Sequence, residues 1–462
     1  FFDEFDNVRK GPAELLLGHS VRDGVAIHWS GPSFFVYGME WWAGTKKRGT
    51  FQSRGGTGGP MMDWPRRQGH AFHGLVASYQ GLRPHYLGYG DLHRGGFGRF
   101  GKPKVILLPY STAMSESEAA TLKEFVREGG VMVSCVNTAT RSVHGRPLET
   151  PLLDEVLGIE RTGGFQPPFM KENQEDLRLN ARVKIPDSED AIEFEPIVVG
   201  PTNLKLTTGA ALGKWGNETL GGPAFILNRF GNGLSLHLNC IFPDVNEITR
   251  LRPAAAAWEA IRTALHYVLR ESKLKPFATL ASEGPRRRYG LHRFRDGDNH
   301  FLGVSARAGH SPRFYKKTKA RITMQEPRHV YEVRTGEYLG ETQEFDAVFN
   351  GERFVNIYSC LPYQVLAITS ADQKQARRGE RVDLPVTFKT SKGLPGRHVV
   401  RVTVHRPDGT EEKILGYNLT TKEGTGTAQI PLAYNAQPGA WKVKLRDVAT
   451  GVAGEASLEV TQ

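Results

Sequence analysis

Apolar and polar positions alternate in two distinct ways along this chain, and the clearest stretch runs from Lys104 to Asn137. Lys104–Pro109 is an unbroken apolar run of strand length, the pattern of a strand buried on both faces. Ser115 and Glu118 have capping-box spacing, so together they satisfy two orphan backbone donors at a helix start. Ala119, Leu122 and Val126 then share one helical face, with Phe125 beside them. Gly129 and Gly130 supply the backbone freedom that ends the helix, and Val131–Ser134 is a second buried strand. The spacing predicts a βαβ unit, hence a parallel sheet with a right-handed crossover.

The flanking pattern extends this layer. Gly24–Ser30 reads as its first strand, after a helix-like Ala13–His19, and Arg83–Tyr89 as the next. Phe34–Arg67 reads as a long loop rich in Gly, Arg and aromatics, and loops of that length inside a compact domain are usually functional or form interfaces. Gln68–Gln80 reads as a helix. Thr150-Pro151 opens a short helix at Leu152–Leu157, with Pro in the favoured first position. Phe225–Phe230 and Leu234–Asn239 form a hairpin around Gly231-Asn232-Gly233. A helix from Pro253 aligns Trp258, Ile261, Leu265 and Val268 on one face. Residues 1–275 are therefore expected to form an α/β domain.

Beyond it the period changes to two. Short runs such as Arg288–Phe294, Asn299–Ser305 and Phe354–Tyr358, punctuated by Asp296-Gly297-Asp298 and Asn350-Gly351, predict a small antiparallel sandwich over 276–370. Leu361–Val365 would close it. The polar segment 371–378 reads as a linker. In 379–462, Val400, Val402 and Val404 alternate with polar neighbours, as do Trp441, Val443 and Leu445. That alternation predicts a sheet wetted on one side and an immunoglobulin-like sandwich. The fold class expected is thus α/β with a parallel sheet, followed by two all-β sandwich domains.

Composition adds little to this but narrows the partners. The 462 residues carry a formal charge of +11, which favours anionic partners such as acidic polysaccharide or a cell surface. The basic residues are scattered and accompany no nucleic-acid motif, so nucleic acid is not expected. No apolar run is long enough to span a membrane. The chain starts with Phe, which suggests a processed product or a fragment. Cys135, Cys240 and Cys360 match no metal spacing and read as buried thiols.

Candidate chemistry is sparse. Cys135 ends the strand after the βαβ helix, but the glycine-flanked elbow of a cysteine nucleophile is missing around it. His70 and His73 stand three apart, with His85 and His93 downstream, and nothing completes a ligand set of three or four. The glycine runs at 55–59 and 95–101 lack the strand-to-helix setting of a phosphate loop. Trp41, Trp42, Trp64 and Tyr86 are candidates for packing against a subunit or stacking on a sugar. No cofactor, metal or catalytic residue is expected.

A strand ending in Ser-Gly-Pro-Ser, a βαβ unit with an LLP strand and an EGG turn, a hairpin bearing F-G-N-G and a closing helix follow one another over roughly residues 10–270. This order resembles the trimerisation domain of family-42-type β-galactosidases, which has a class I glutamine-amidotransferase-like fold. The next β-domain resembles the one that follows it in those enzymes. The resemblance implies self-association, with a trimer as one form, an upstream catalytic barrel as partner, and an exported or cell-surface location. The family's catalytic glutamates lie in that barrel, so no residue here inherits their role. An exported surface or matrix protein reusing these folds is the alternative reading.

Overall fold

The computed structural model describes residues 8–36, 64–76, 81–162, 169–170, 179–196, 198–200, 204–217, 220–241, 253–282, 289–306, 318–349 and 355–462. The described chain has far more strand than helix, arranged in several sheets. It divides into two compact units, one of residues 22–276, the other of 1–21 with 277–462.

In the first unit the main sheet contains β1 (Val25–Trp29), β2 (His85–Gly88), β3 (Val105–Leu108) and β4 (Val131–Cys135). Across it the order is Ala210–Ala211, Phe225–Phe230, Gly233–Leu238, β4, β3, β1, β2. The pairs β1 with β2, β1 with β3, β3 with β4, and β4 with Gly233–Leu238 are parallel. The helix Glu116–Arg127 connects β3 to β4, and its capping box forms as the Ser115/Glu118 spacing predicts.

Strand alternation sorts the core into two layers. Val25, Ile27, Val105, Leu107, Val131, Val133 and Cys135 pack with Phe72 and Leu75 of the helix Trp64–Gly74 and its extension, and with Ile261 and Leu265 of the helix Pro253–Glu271. Ala26, Ile106, Leu108 and Met132 pack instead with Leu122, Phe125 and Val126, and with Val156 and Leu157. A smaller antiparallel sheet, ordered Gly221–Pro223, Gly213–Gly216, Asn180–Val183, Ile192–Phe194, adds Trp215 and Phe194 to the first layer.

Several boundaries differ from expectation. Trp64–Arg67, expected in the loop, begin the helix Trp64–Gly74. The short helix starts at Asp154 rather than next to Pro151. Residues 8–21 belong with the second unit rather than with the α/β layer. There Ser20 bridges Phe294, the Arg295 N–H donates to the His19 carbonyl, and Gly11 lies against Val448. These ties are backbone bonds and close packing over long sequence distance, which a local pattern does not report.

The second unit contains a six-stranded antiparallel sheet and two further sheets of three and five strands. The five-stranded sheet presents Val400, Val402, Trp441, Val443, Leu445 and Leu458 to Val382, Leu384, Val386 and Phe388 of the three-stranded one. The segment 371–378, read as a linker, contains the strand Gln373–Arg377, which pairs in parallel with Ala453–Thr461. An edge strand is held by ladder hydrogen bonds and needs few apolar side chains; here Ala376 is buried. Leu361–Val365 is likewise two elements. One strand ends at Leu361, and Val365–Ser370 pairs with Arg381–Thr390. Phe301, Tyr331, Ile357 and Leu361 share one core with the C-terminal sheets, so no separating linker lies between 276–370 and 379–462.

Candidate functional site

The order of the parallel strands creates a switch point. After β1 the chain adds β2 on one side, then returns to place β3 on the other. Open α/β sheets bind ligands in the crevice beyond the strand ends at such a point. Here the crevice is filled by the protein's own hydrogen bonds. The hydroxyls of Ser30 and Ser33 lie 2.7 Å apart, and each is 3.2 Å from the Ala113 carbonyl. The Ala113 N–H donates to Ser33 Oγ at 3.0 Å. Ser30, Ser33, Ser111, Thr112 and Ala113 are all buried.

One tier lower, His28 Nδ1 is 2.8 Å from Ser111 Oγ, and its Nε2 lies 3.3 Å from Glu118 Oε1. Glu118 Oε2 accepts from the Ser115 N–H at 2.8 Å and from its hydroxyl at 3.1 Å. Ser, His and a carboxylate are the residue types of an acyl-transfer triad. Ser111 is only 1% exposed and Glu118 0%, so the hydroxyl is enclosed in this structure. The three groups tie β1, the segment after β3 and the helix start into one buried network.

Cys135 has the setting of a core residue. It is 1% exposed and packs in the first layer. The backbone turns to positive φ two residues later, at Asn137 (59°) and again at Ala139 (56°). The bend after β4 therefore carries an amide, which is no nucleophile. His237, on the neighbouring strand, pairs with Ser134 and not with Cys135; its Nδ1 is 2.8 Å from Ser134 Oγ. Burial, with the Arg161 charge, pushes the His237 imidazole well below its ordinary range. Arg161 is itself held by Asp154 and by the Thr138 carbonyl at 2.8 Å.

The histidines do not converge. His73 stacks on Tyr86, His85 lies 4.9 Å from Phe100, and His93 is 3.1 Å from Ser115 Oγ. Burial, with Arg22, lowers the His85 imidazole. Among the described residues no three His, Cys, Asp or Glu side chains are grouped to hold a metal.

Rings do gather at the ends of β1 and β2, the edge of the sheet. Trp29 and Tyr86 meet edge-on, centroids 5.5 Å apart at 83°. Phe34 lies 5.4 Å from Trp29, and His73 stacks on Tyr86 at 6.1 Å. Trp29 is 36% exposed and Tyr86 42%, so the cluster presents a ring surface to solvent. Such a surface suits the apolar face of a sugar or the side chains of a partner. Of the four candidates named from sequence, Tyr86 is in this cluster. Trp64 opens the helix whose His73 and Gly69 lie by Tyr86. Trp41 and Trp42 lie outside the described residues. Trp29 was missed; a large aromatic closing an otherwise enclosed parallel strand was the signal for it.

No family model matches the sequence, and no curated protein matches it. Solved structures do resemble it in fold. The β-galactosidase from Bacillus circulans sp. alkalophilus aligns with a TM-score of 0.52 at 14% identity, over 74% of this chain and 42% of that one. The chain is similar in fold to part of a β-galactosidase. A catalytic mutant of Gan42B, a GH42 β-galactosidase from G. stearothermophilus, aligns at 0.49 and 14%, over 74% and 41%. The β-galactosidase from Rahnella sp. R3 aligns at 0.48 and 15%, over 74% and 41%. The chain thus spans about two fifths of the length of the solved β-galactosidases it aligns with.

Proposed function

We propose that these residues are the assembly and accessory region of a β-galactosidase-like carbohydrate-active protein, with catalysis housed in a barrel outside them. In this reading residues 22–276 are a class I glutamine-amidotransferase-like assembly domain. The six-stranded sheet is the following β-domain, and the final pair of sheets is an immunoglobulin-like module. The observation that carries the reading is the filled switch point. A fold that offers ligands a crevice beyond β1 and β3 spends it here on Ser30, Ser33 and Ala113. What the strand ends offer instead is the solvent-facing cluster of Trp29 and Tyr86. Exposed aromatic anchors are typical of subunit contacts. The fold likeness to the Bacillus circulans enzyme supports the same reading.

Sedimentation velocity of the full chain tests it. Self-association that Tyr86→Arg abolishes is expected. A strict monomer at every micromolar concentration overturns the assembly role. Turnover of a chromogenic galactoside by this chain alone overturns the placement of catalysis elsewhere.

A further inference from the structure

The small antiparallel sheet of the first unit borders a cavity of about 1040 Å³ that the reading above leaves unused. Strand alternation puts Ala181, Phe194 and Trp215 on one side of this sheet and Arg182, Glu193 and Lys214 on the other. The cavity touches both sets. Its size is at the upper end for small-molecule sites, more than one sugar ring requires.

Its charges balance. Arg182, Lys214, Glu193 and Glu195 all line it, and Arg182 Nε lies 3.5 Å from a Glu193 oxygen. A site balanced in this way attracts no ionic ligand over long range. Besides the amides of Asn180 and Asn217, which both donate and accept, the charged and indole lining groups are of two kinds. Arg, Lys and the Trp indole only donate hydrogen bonds, whereas the carboxylates only accept them. A hydroxyl does both, so a ligand bearing many hydroxyls can satisfy both kinds at once. One lining residue carries a buried, unpartnered donor. Trp215 is 2% exposed, and its indole Nε1 has no hydrogen-bond partner in the structure. A buried indole N–H normally finds one. Gly222, across the strand pair, packs beside that nitrogen. A Cβ there would come within 3.3 Å of it.

We infer that this cavity binds an uncharged, hydroxyl-rich ligand of oligosaccharide size. The inference stands apart from the assembly role, since it uses neither Trp29 nor Tyr86. It also reverses the expectation from net charge, that the partner is an anionic polysaccharide.

Calorimetric titration of the full chain with a neutral galacto-oligosaccharide, a neutral cello-oligosaccharide and a sulfated oligosaccharide provides the test. Saturable binding of a neutral ligand is expected, little changed by salt. Ala211→Arg places a long side chain at the mouth from an exposed position and should abolish binding. Arg182→Ala should weaken it by about tenfold, the scale of one charge-assisted hydrogen bond. Both positions are exposed, and the melting temperature of each variant checks that the fold is intact. No saturable binding of either neutral ligand overturns the inference. So does neutral binding that both variants retain, or tighter, salt-sensitive binding of the sulfated ligand. None of these outcomes bears on self-association.

Discussion

Replacing Glu118 by Ala separates a structural staple from a disguised active site. The change removes the acceptor of two bonds from Ser115 and the oxygen 3.3 Å from His28 Nε2, all in a site with no access to water. Loss of the Glu118 half of the capping box costs about 1 kcal/mol. Each buried polar group left without a partner costs about 1–3 kcal/mol more. With the Ser115 N–H counted in the cap and its hydroxyl as the one further group, the sum is about 2–4 kcal/mol. In a unit of this size each kcal/mol lowers the melting temperature by about 2–4 °C, so a fall of about 10 °C is expected. Glu118→Gln keeps one acceptor oxygen, enough for both Ser115 bonds, and should lose well under half of that. Calorimetry of the full chain, following the transition of residues 22–276, reads the difference. Functional polar clusters are commonly strained, and removing one of their members stabilises the fold. A Glu118→Ala chain that melts at or above the wild-type temperature would therefore refute the staple.

Other outcomes follow from single sites. Gly130→Ala should destabilise the first unit by about 1–3 kcal/mol, the range for overpacking, because its Cβ would lie 2.4 Å from the Phe125 ring; urea titration measures it. Burial, with the charges of Arg293, Arg328 and Arg295, pushes His300 down to about 3. The unfolded imidazole, near 6.5, takes up a proton that folded His300 refuses, so its contribution is complete above that pH. It is lost as the pH falls toward 3, with a slope of at most about 1.4 kcal/mol per pH unit. His300→Phe keeps the ring stack on Phe277 and should flatten that acid loss, as urea midpoints at neutral and mildly acid pH would show. Limited proteolysis should leave 371–378 uncut under native conditions, since Gln373–Arg377 is paired; early cleavage there would restore the linker.

What could be read from the sequence was local. The βαβ unit came through because the two buried strands and the Ser115/Glu118 cap are each written within a few residues. The hairpin at Gly231-Asn232 was equally local. What failed depends on distant partners. Gln373–Arg377 has the polar composition of a linker and becomes a strand only because Ala453–Thr461 lies beside it. Residues 8–21 join the second unit through bonds such as Ser20 to Phe294. Trp29 and Tyr86 meet because β1 and β2 are neighbours in parallel register, a fact of topology rather than pattern. Glu118 was legible as a cap, but its second oxygen beside His28 was not.

The central claim is that the strand ends of the main sheet carry no working nucleophile. Mass spectrometry after exposing the native chain to a fluorophosphonate and to iodoacetamide tests it most directly. Ser111 and Cys135, each 1% exposed, should remain unmodified until the chain is unfolded. Rapid labelling of either residue in the native protein would contradict the account.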